Sequence, residues 1–220
     1  MSILRLLSPL EARVLGVLIE KQHTVPDTYP MSLNALVGGC NQKTARNPVV
    51  EATDAEVLNA LDGLKGLSLT FEGSSSRVVK FEHNTGRVLQ VPSQAVALLA
   101  VLMLRGPQTA AELRLNCERL HRFADISSVE GFLDELAAKP VPMVVKLPRA
   151  VGEREARWAH LLCGEVSLPP GRVAATDDDR PVGLGAGEIA ALRAEQTRLA
   201  AEVAELRALV QRMAQELGIH

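Results

Sequence analysis

The stretch Asn41-Gln42-Lys43-Thr44-Ala45-Arg46-Asn47 gathers amides, a hydroxyl and two cations into consecutive positions. Amides and hydroxyls beside Lys and Arg suit phosphate oxygens and base edges. No acidic residue lies between Asp27 and Glu51 to oppose them. Further along, Arg77 and Lys80 add two cations within a β-rich run. Asn41, Gln42, Lys43, Thr44, Arg46, Asn47, Arg77 and Lys80 are therefore the expected nucleic-acid contacts. The same loop admits a second reading, in which its Asn and Arg side chains hydrogen-bond their own backbone; Pro48 and the amides suit that as well.

Catalytic chemistry finds less support. There is no serine in a G-x-S-x-G turn and no His-x-x-x-His pair. The glycine string Gly183, Gly185, Gly187 follows no strand, so it does not read as a phosphate loop. His23, His83, His121, His160 and His220 are scattered, and His83 and His160 each close a β-rich run. Cys40, Cys117 and Cys163 are odd in number and widely spaced, without a CxxC pair, which argues against a disulfide framework or a zinc site. The expectation is a non-enzymatic protein with no catalytic residue, metal or cofactor.

The elements that position these residues come in two copies. The first opens with Ser8-Pro9-Leu10-Glu11, a capping box with proline at the first helical position, and runs through Val14, Leu15, Val17, Leu18 and Ile19. Its counterpart begins near Ser93 and carries Val96, Leu99, Leu102 and Met103, an offset of 84. Ser32-Leu33-Asn34-Ala35-Leu36 then matches Thr109-Ala110-Ala111-Glu112-Leu113 at an offset of 77, which superposes Cys40 on Cys117. A third helix begins at the Thr53–Glu56 box, and its counterpart near Ser127. Each copy ends in two β-rich runs, Leu67–Phe71 with Arg77–His83, then Met143–Leu147 with Arg157–Leu162. Three helices followed by a hairpin within about 80 residues is the plan of a winged helix. The expected fold is α+β, mainly α: winged-helix domains at 1–90 and 91–166, a Pro/Gly/Asp-rich linker at 167–187, and a coiled-coil helix at 188–220.

That last helix carries an unbroken heptad pattern. Ile189, Gln196, Val203, Val210 and Leu217 occupy a positions, and Leu192, Leu199, Leu206 and Met213 occupy d positions. A parallel pair would set Glu188 against Arg193 and Glu202 against Arg207 of the other chain, whereas an antiparallel pair would oppose glutamates. The expected partner is thus a second copy of the chain, joined in a parallel homodimer; the other reading is a single amphipathic helix folded back on the body.

Charge limits the other partners. Lys and Arg number 24 against 26 Asp and Glu, a net charge of −2, which excludes a generally basic nucleic-acid binder. The third helices carry Asp54, Glu56, Asn59, Asp62 and Lys65 in one copy and Glu130, Asp134, Glu135 and Lys139 in the other. They are more acidic than basic and would repel phosphates. Double-stranded DNA would then be met by the loop and wing, or by Arg114, Arg119 and Arg122; alternatively the acidic helices dock on a basic protein. The longest uncharged apolar run, Ala95 to Leu104, is too short to span a bilayer, and no signal peptide is read at the N-terminus. A cytoplasmic protein without membrane partners is expected.

Several segments resemble the YceH family: Glu11 to Lys21, Tyr29 to Leu36, Cys40 to Thr44 with Arg46 to Val49, Ser76 to His83, Leu104 to Thr109, and Leu147 to Arg149 with Trp158 to Leu162. The resemblance spans roughly residues 8–164 and implies a pair of winged helices; it transfers no catalytic or binding residue. Asn47 stands where that family usually has aspartate, and Val151 where it usually has proline.

Overall fold

The computed structural model describes residues 5–73, 78–149, 153 and 155–166, all within one compact unit. The linker 167–187, the heptad helix from Ile189 to Leu217 and Arg77 lie outside the described residues.

The first helix, α1 (Pro9–Thr24), starts where the sequence places it. Ser8 Oγ accepts the Glu11 N–H at 3.1 Å, and the Glu11 carboxylate accepts the Ser8 N–H at 2.7 Å. Glu11 is buried and held by two bonds from the Arg5 guanidinium, 2.6 and 2.9 Å. From Glu11 to Ile19 every residue of α1 is buried, so this helix is enclosed on all sides. A short 3-10 turn, a two-residue strand β1 (Met31–Ser32) and α2 (Leu33–Cys40) follow, then α3 (Asp54–Gly66) from its own capping box at Thr53 and Glu56. The hairpin pairs β2 (Thr70–Gly73) with β3 (Lys80–His83). A short helix, α4 (Thr85–Leu89), leads into the second copy.

There the order recurs as α5 (Ser93–Arg105), α6 (Ala110–Asn116), α7 (Ile126–Ala137), β4 (Val144–Lys146) and β5 (Trp158–His160). Capping boxes open α6 at Thr109 and Glu112 and α7 at Asp125 and Ser128. The described residues are mainly helical, with two small antiparallel sheets among them. In the first, the order is β1-β3-β2, with Met31 and Glu72 both paired to Phe81. In the second, β4 pairs with β5, and Gln108 forms an isolated bridge to Trp158. Adding 77 to Met31 and Phe81 gives Gln108 and Trp158, so that bridge is the second copy's version of the β1–β3 pairing. The third strand was not read from the sequence because two residues carry no alternation signal.

Both copies share one apolar core. The ten residues from Ala95 to Leu104 of α5 are all buried, and α5 lies against α1. Burial of a side chain such as Leu98, Leu99 or Leu102, each fully enclosed, contributes about 1.5–3 kcal/mol. The approach is close: a Cβ on Gly16 would stand 3.0 Å from Leu104 Cγ. Two backbone bonds cross between the copies, Asn47 N–H to the Leu104 carbonyl and Leu7 N–H to the Leu162 carbonyl, each 2.8 Å. Among the described residues no helix is long and apolar enough to cross a membrane.

Candidate functional site

The polar loop after α2 is largely committed to its own backbone. Asn41 Nδ2 donates to the Ala52 carbonyl, and Asn41 Oδ1 accepts the Ala52 N–H, both at 2.8 Å. This pair of bonds closes the loop at its base. Gln42 Nε2 donates to the Thr44 carbonyl at 3.1 Å and its hydroxyl at 3.2 Å. At Ala45 the backbone enters the left-handed region (φ 58°), and the next side chain runs inward.

That side chain is Arg46, and it corrects the expectation of a phosphate contact there. Its guanidinium is 0% exposed. It bonds Glu20 of α1 through NH1 and NH2 at 3.1 and 2.6 Å, while Nε donates to the Gly39 carbonyl at 3.1 Å. Burial alone would raise the Glu20 pKa, but the bonds and charge of Arg46, with Lys21, hold it below the usual carboxylate range. Asn41 is partly buried, with its amide bonded to the Ala52 backbone. Of the predicted contacts, Lys43, Thr44 and Asn47 are exposed, while Gln42 and Lys80 are partly exposed. Arg77 lies outside the described residues.

A residue missed by the sequence reading is Arg13, on α1. Only 3% of it is exposed, and it donates to the Cys40 carbonyl at 3.3 Å and to Pro48 at 2.6 Å. Arg13 and Arg46 thus satisfy the last two carbonyls of α2, where a helix leaves unpaired acceptors and a partial negative charge. Position 13 falls inside an apolar helical run that is buried all round, the one signal that could have marked this arginine as inward-facing; nothing local says what it meets.

Arg114 and Arg122, two of the three second-copy arginines expected to meet DNA, are also partnered, as is Arg157. Arg122 lies 3.7 Å from Glu118, both exposed, and Arg114 donates to the Ala124 carbonyl at 3.0 Å. Arg157 joins Glu112 at 2.8 Å and Glu153 at 3.2 Å. By contrast, the outward residues Asp54, Glu56, Asn59 and Asp62 of α3, and Glu130, Asp134 and Glu135 of α7, are all exposed. Lys65 at the end of α3 is paired with Glu72 at 2.7 Å.

Cys40 and Cys117 are fully buried, and burial pushes both thiols up to about 12, far from the thiolate that nucleophilic chemistry needs. Burial also lowers His83 and His160 to about 4, with the charge of His23 adding to the effect at His83. Among the described residues, no group of three or more His, Cys, Asp or Glu side chains is placed to hold a metal.

The family described as "Protein of unknown function, DUF480" matches residues 7–153. A UPF0502 protein of Burkholderia multivorans is 69% identical over 216 residues, covering 98% of this chain and 91% of the relative. UPF0502 proteins of Burkholderia pseudomallei and Burkholderia thailandensis are each 67% identical with the same coverage. With this match along nearly its whole length, and with the loop and wing segments quoted above, the chain belongs to the DUF480/UPF0502 family, the YceH-like group.

Proposed function

We propose that this protein is a non-enzymatic tandem winged-helix homodimer that works by binding, with the outward faces of α3 and α7 as its recognition surfaces and a basic protein as the partner. The exposed acidic residues of both third helices carry this reading: Asp54, Glu56 and Asp62 in one copy, Glu130, Asp134 and Glu135 in the other. A winged helix that reads DNA places its recognition helix in the major groove, among phosphates. Two acidic faces there would be repelled, whereas a Lys- and Arg-rich surface is attracted. Each copy is modest in area, and pairing through residues 188–220 would couple the sites, raising the effective concentration of the second contact.

Double-stranded DNA is the second reading, as in a transcription regulator. Exposed Lys43, Thr44 and Asn47 support it, with Lys80 on the hairpin. The burial of Arg46 and the internal bonds of Asn41 leave that surface with few donors. One titration separates the readings. The full-length protein is followed by fluorescence anisotropy against a labelled lysine-rich peptide and against a mixed-sequence DNA duplex, both at low ionic strength. The peptide is expected to bind, and Glu130→Lys with Asp134→Lys is expected to weaken it at least tenfold; DNA binding with no peptide binding would overturn the leading reading. Light scattering of a chain ending at residue 187 should report a monomer, and a persistent dimer would refute the role of the tail.

A further inference from the structure

A cavity of about 430 Å³ lies where the two copies meet. Its walls come from the start of α1, the segment from Asn47 to Ala52, the start of α3, the end of α5, and the end of β5 with Cys163 beyond it. This volume falls within the roughly 300–1,000 Å³ typical of small-molecule sites. Leu102, Met103, Leu10 and Pro48 give it a mostly apolar lining; Arg13, His160 and Cys163 supply the chemistry.

The charge of Arg13 is the unexplained part. Its terminal nitrogens meet two carbonyl oxygens, but Nε has no hydrogen-bond partner. Among the described residues no carboxylate lies within ion-pair distance of it; burial lowers its pKa, and the guanidinium of Arg46 lowers it further. Arg46 has Glu20, whereas Arg13 shares with it only the end of α2, which supplies about half a negative charge. A buried cation left in that position is expensive unless something of opposite charge completes it. Capping α2 at Cys40 and bonding the Pro48 carbonyl account for the two terminal nitrogens of Arg13 and leave Nε and the net positive charge. His160 adds a second orphan: its Nδ1 is buried without a partner. Glu51 and Glu56 also border the cavity, but both are exposed, so water and salt screen their repulsion of an anion.

We infer that this cavity binds a small carboxylate with an apolar body, its charge compensating the Arg13 guanidinium in the wall, its hydrocarbon part against Leu102 and Met103, and His160 offering a neutral hydrogen-bonding group. An apolar wall disfavours a strongly hydrated dianion such as phosphate, and an uncompensated cation disfavours a neutral ligand. The site stands independently of whether DNA or protein meets the surface.

Octanoate, octan-1-ol and inorganic phosphate are the probes, used on the full chain. Trp158 is the sole tryptophan of the sequence; it is buried on β5, two residues before His160, and reports binding by fluorescence. Octanoate should bind saturably and at least tenfold more tightly than octan-1-ol or phosphate. Arg13→Met should bring octanoate and octan-1-ol to parity, and Arg13→Lys should keep part of the preference. Should the Arg13 variants fail to fold, alkylation of the wild-type protein decides the matter. Cys163 is half-buried at the cavity, whereas Cys40 and Cys117 are fully enclosed, so iodoacetamide should modify Cys163 first and octanoate should slow it several-fold. No saturable octanoate binding, equal affinity for octanoate and octan-1-ol, phosphate binding as tight as octanoate, or unchanged Cys163 alkylation would each overturn the assignment.

Discussion

Arg46 and Glu20 meet across 26 residues of sequence, at 2.6 Å, with the guanidinium wholly enclosed. Removing one member of a buried pair leaves the other uncompensated, which costs about 3–5 kcal/mol. Glu20 retains 16% exposure, so Arg46→Ala should fall near the lower end, about 3 kcal/mol by urea denaturation. The second copy indicates the repair. The offsets of 84 and 77 that align the copies set Leu104 opposite Glu20 and Phe123 opposite Arg46, and both are buried. The double variant Glu20→Leu with Arg46→Met should recover most of the loss, giving a clear coupling in a double-mutant cycle. A double variant no more stable than Arg46→Ala would contradict this account. The comparison also shows what was legible. A cation at 46 read in isolation resembles a phosphate contact. The paired change between copies, charged at both positions in one and apolar at both in the other, is present in the sequence and marks an internal pair.

At the level of elements, capping signals and apolar periodicity placed α1, α2, α3, α5, α6 and α7. Ser8, Thr53 and Thr109 each stand at the N-cap with a glutamate three residues on, and each does start a helix. The hairpin strands came out shorter than their β-rich runs, because Leu67 closes α3 and Ser68 turns through φ 58° before β2 can begin. The small strand β1 and the five-residue α4 were illegible, since both depend on tertiary pairing rather than on pattern. What periodicity does not reveal is how closely helices approach. Gly39, on α2, is needed for contact with α1: a Cβ there would lie 2.6 Å from Val17 Cγ1. Gly39→Ala raises helix propensity yet forces α2 away from α1, and should destabilise by about 1–3 kcal/mol, as overpacking does. Gly38, one residue earlier, has nothing within 4 Å of its missing Cβ, so Gly38→Ala should be neutral or stabilising. Thermal melts of the two variants check this pair of opposite outcomes.

For the whole molecule, pH acts at equivalent places in both copies, since 77 residues separate His83 from His160. Burial sets each near 4 in the folded state, against about 6.5 in an unfolded chain. Only the unfolded state is protonated between those values. Stability is therefore complete above about pH 6.5 and declines as the pH falls toward 4, by at most about 3 kcal/mol per histidine. Glu11 and Glu20, whose pKa values are lowered, add their own loss only further down, below the ordinary 4.5. The urea midpoint should drop between pH 7.5 and pH 5, and His160→Gln should reduce the drop; an unchanged wild-type midpoint would rule out the mechanism.

The apolar core that passes from α1 to α5 has a consequence for how the chain can be cut. Each copy keeps an almost fully buried helix as the other's missing wall. The backbone joining them between α4 and α5 is a tether and not the source of their association. A chain severed at that connection would behave as two complementing fragments, each unable to shield its own long helix and each finding in the other the surface it lacks.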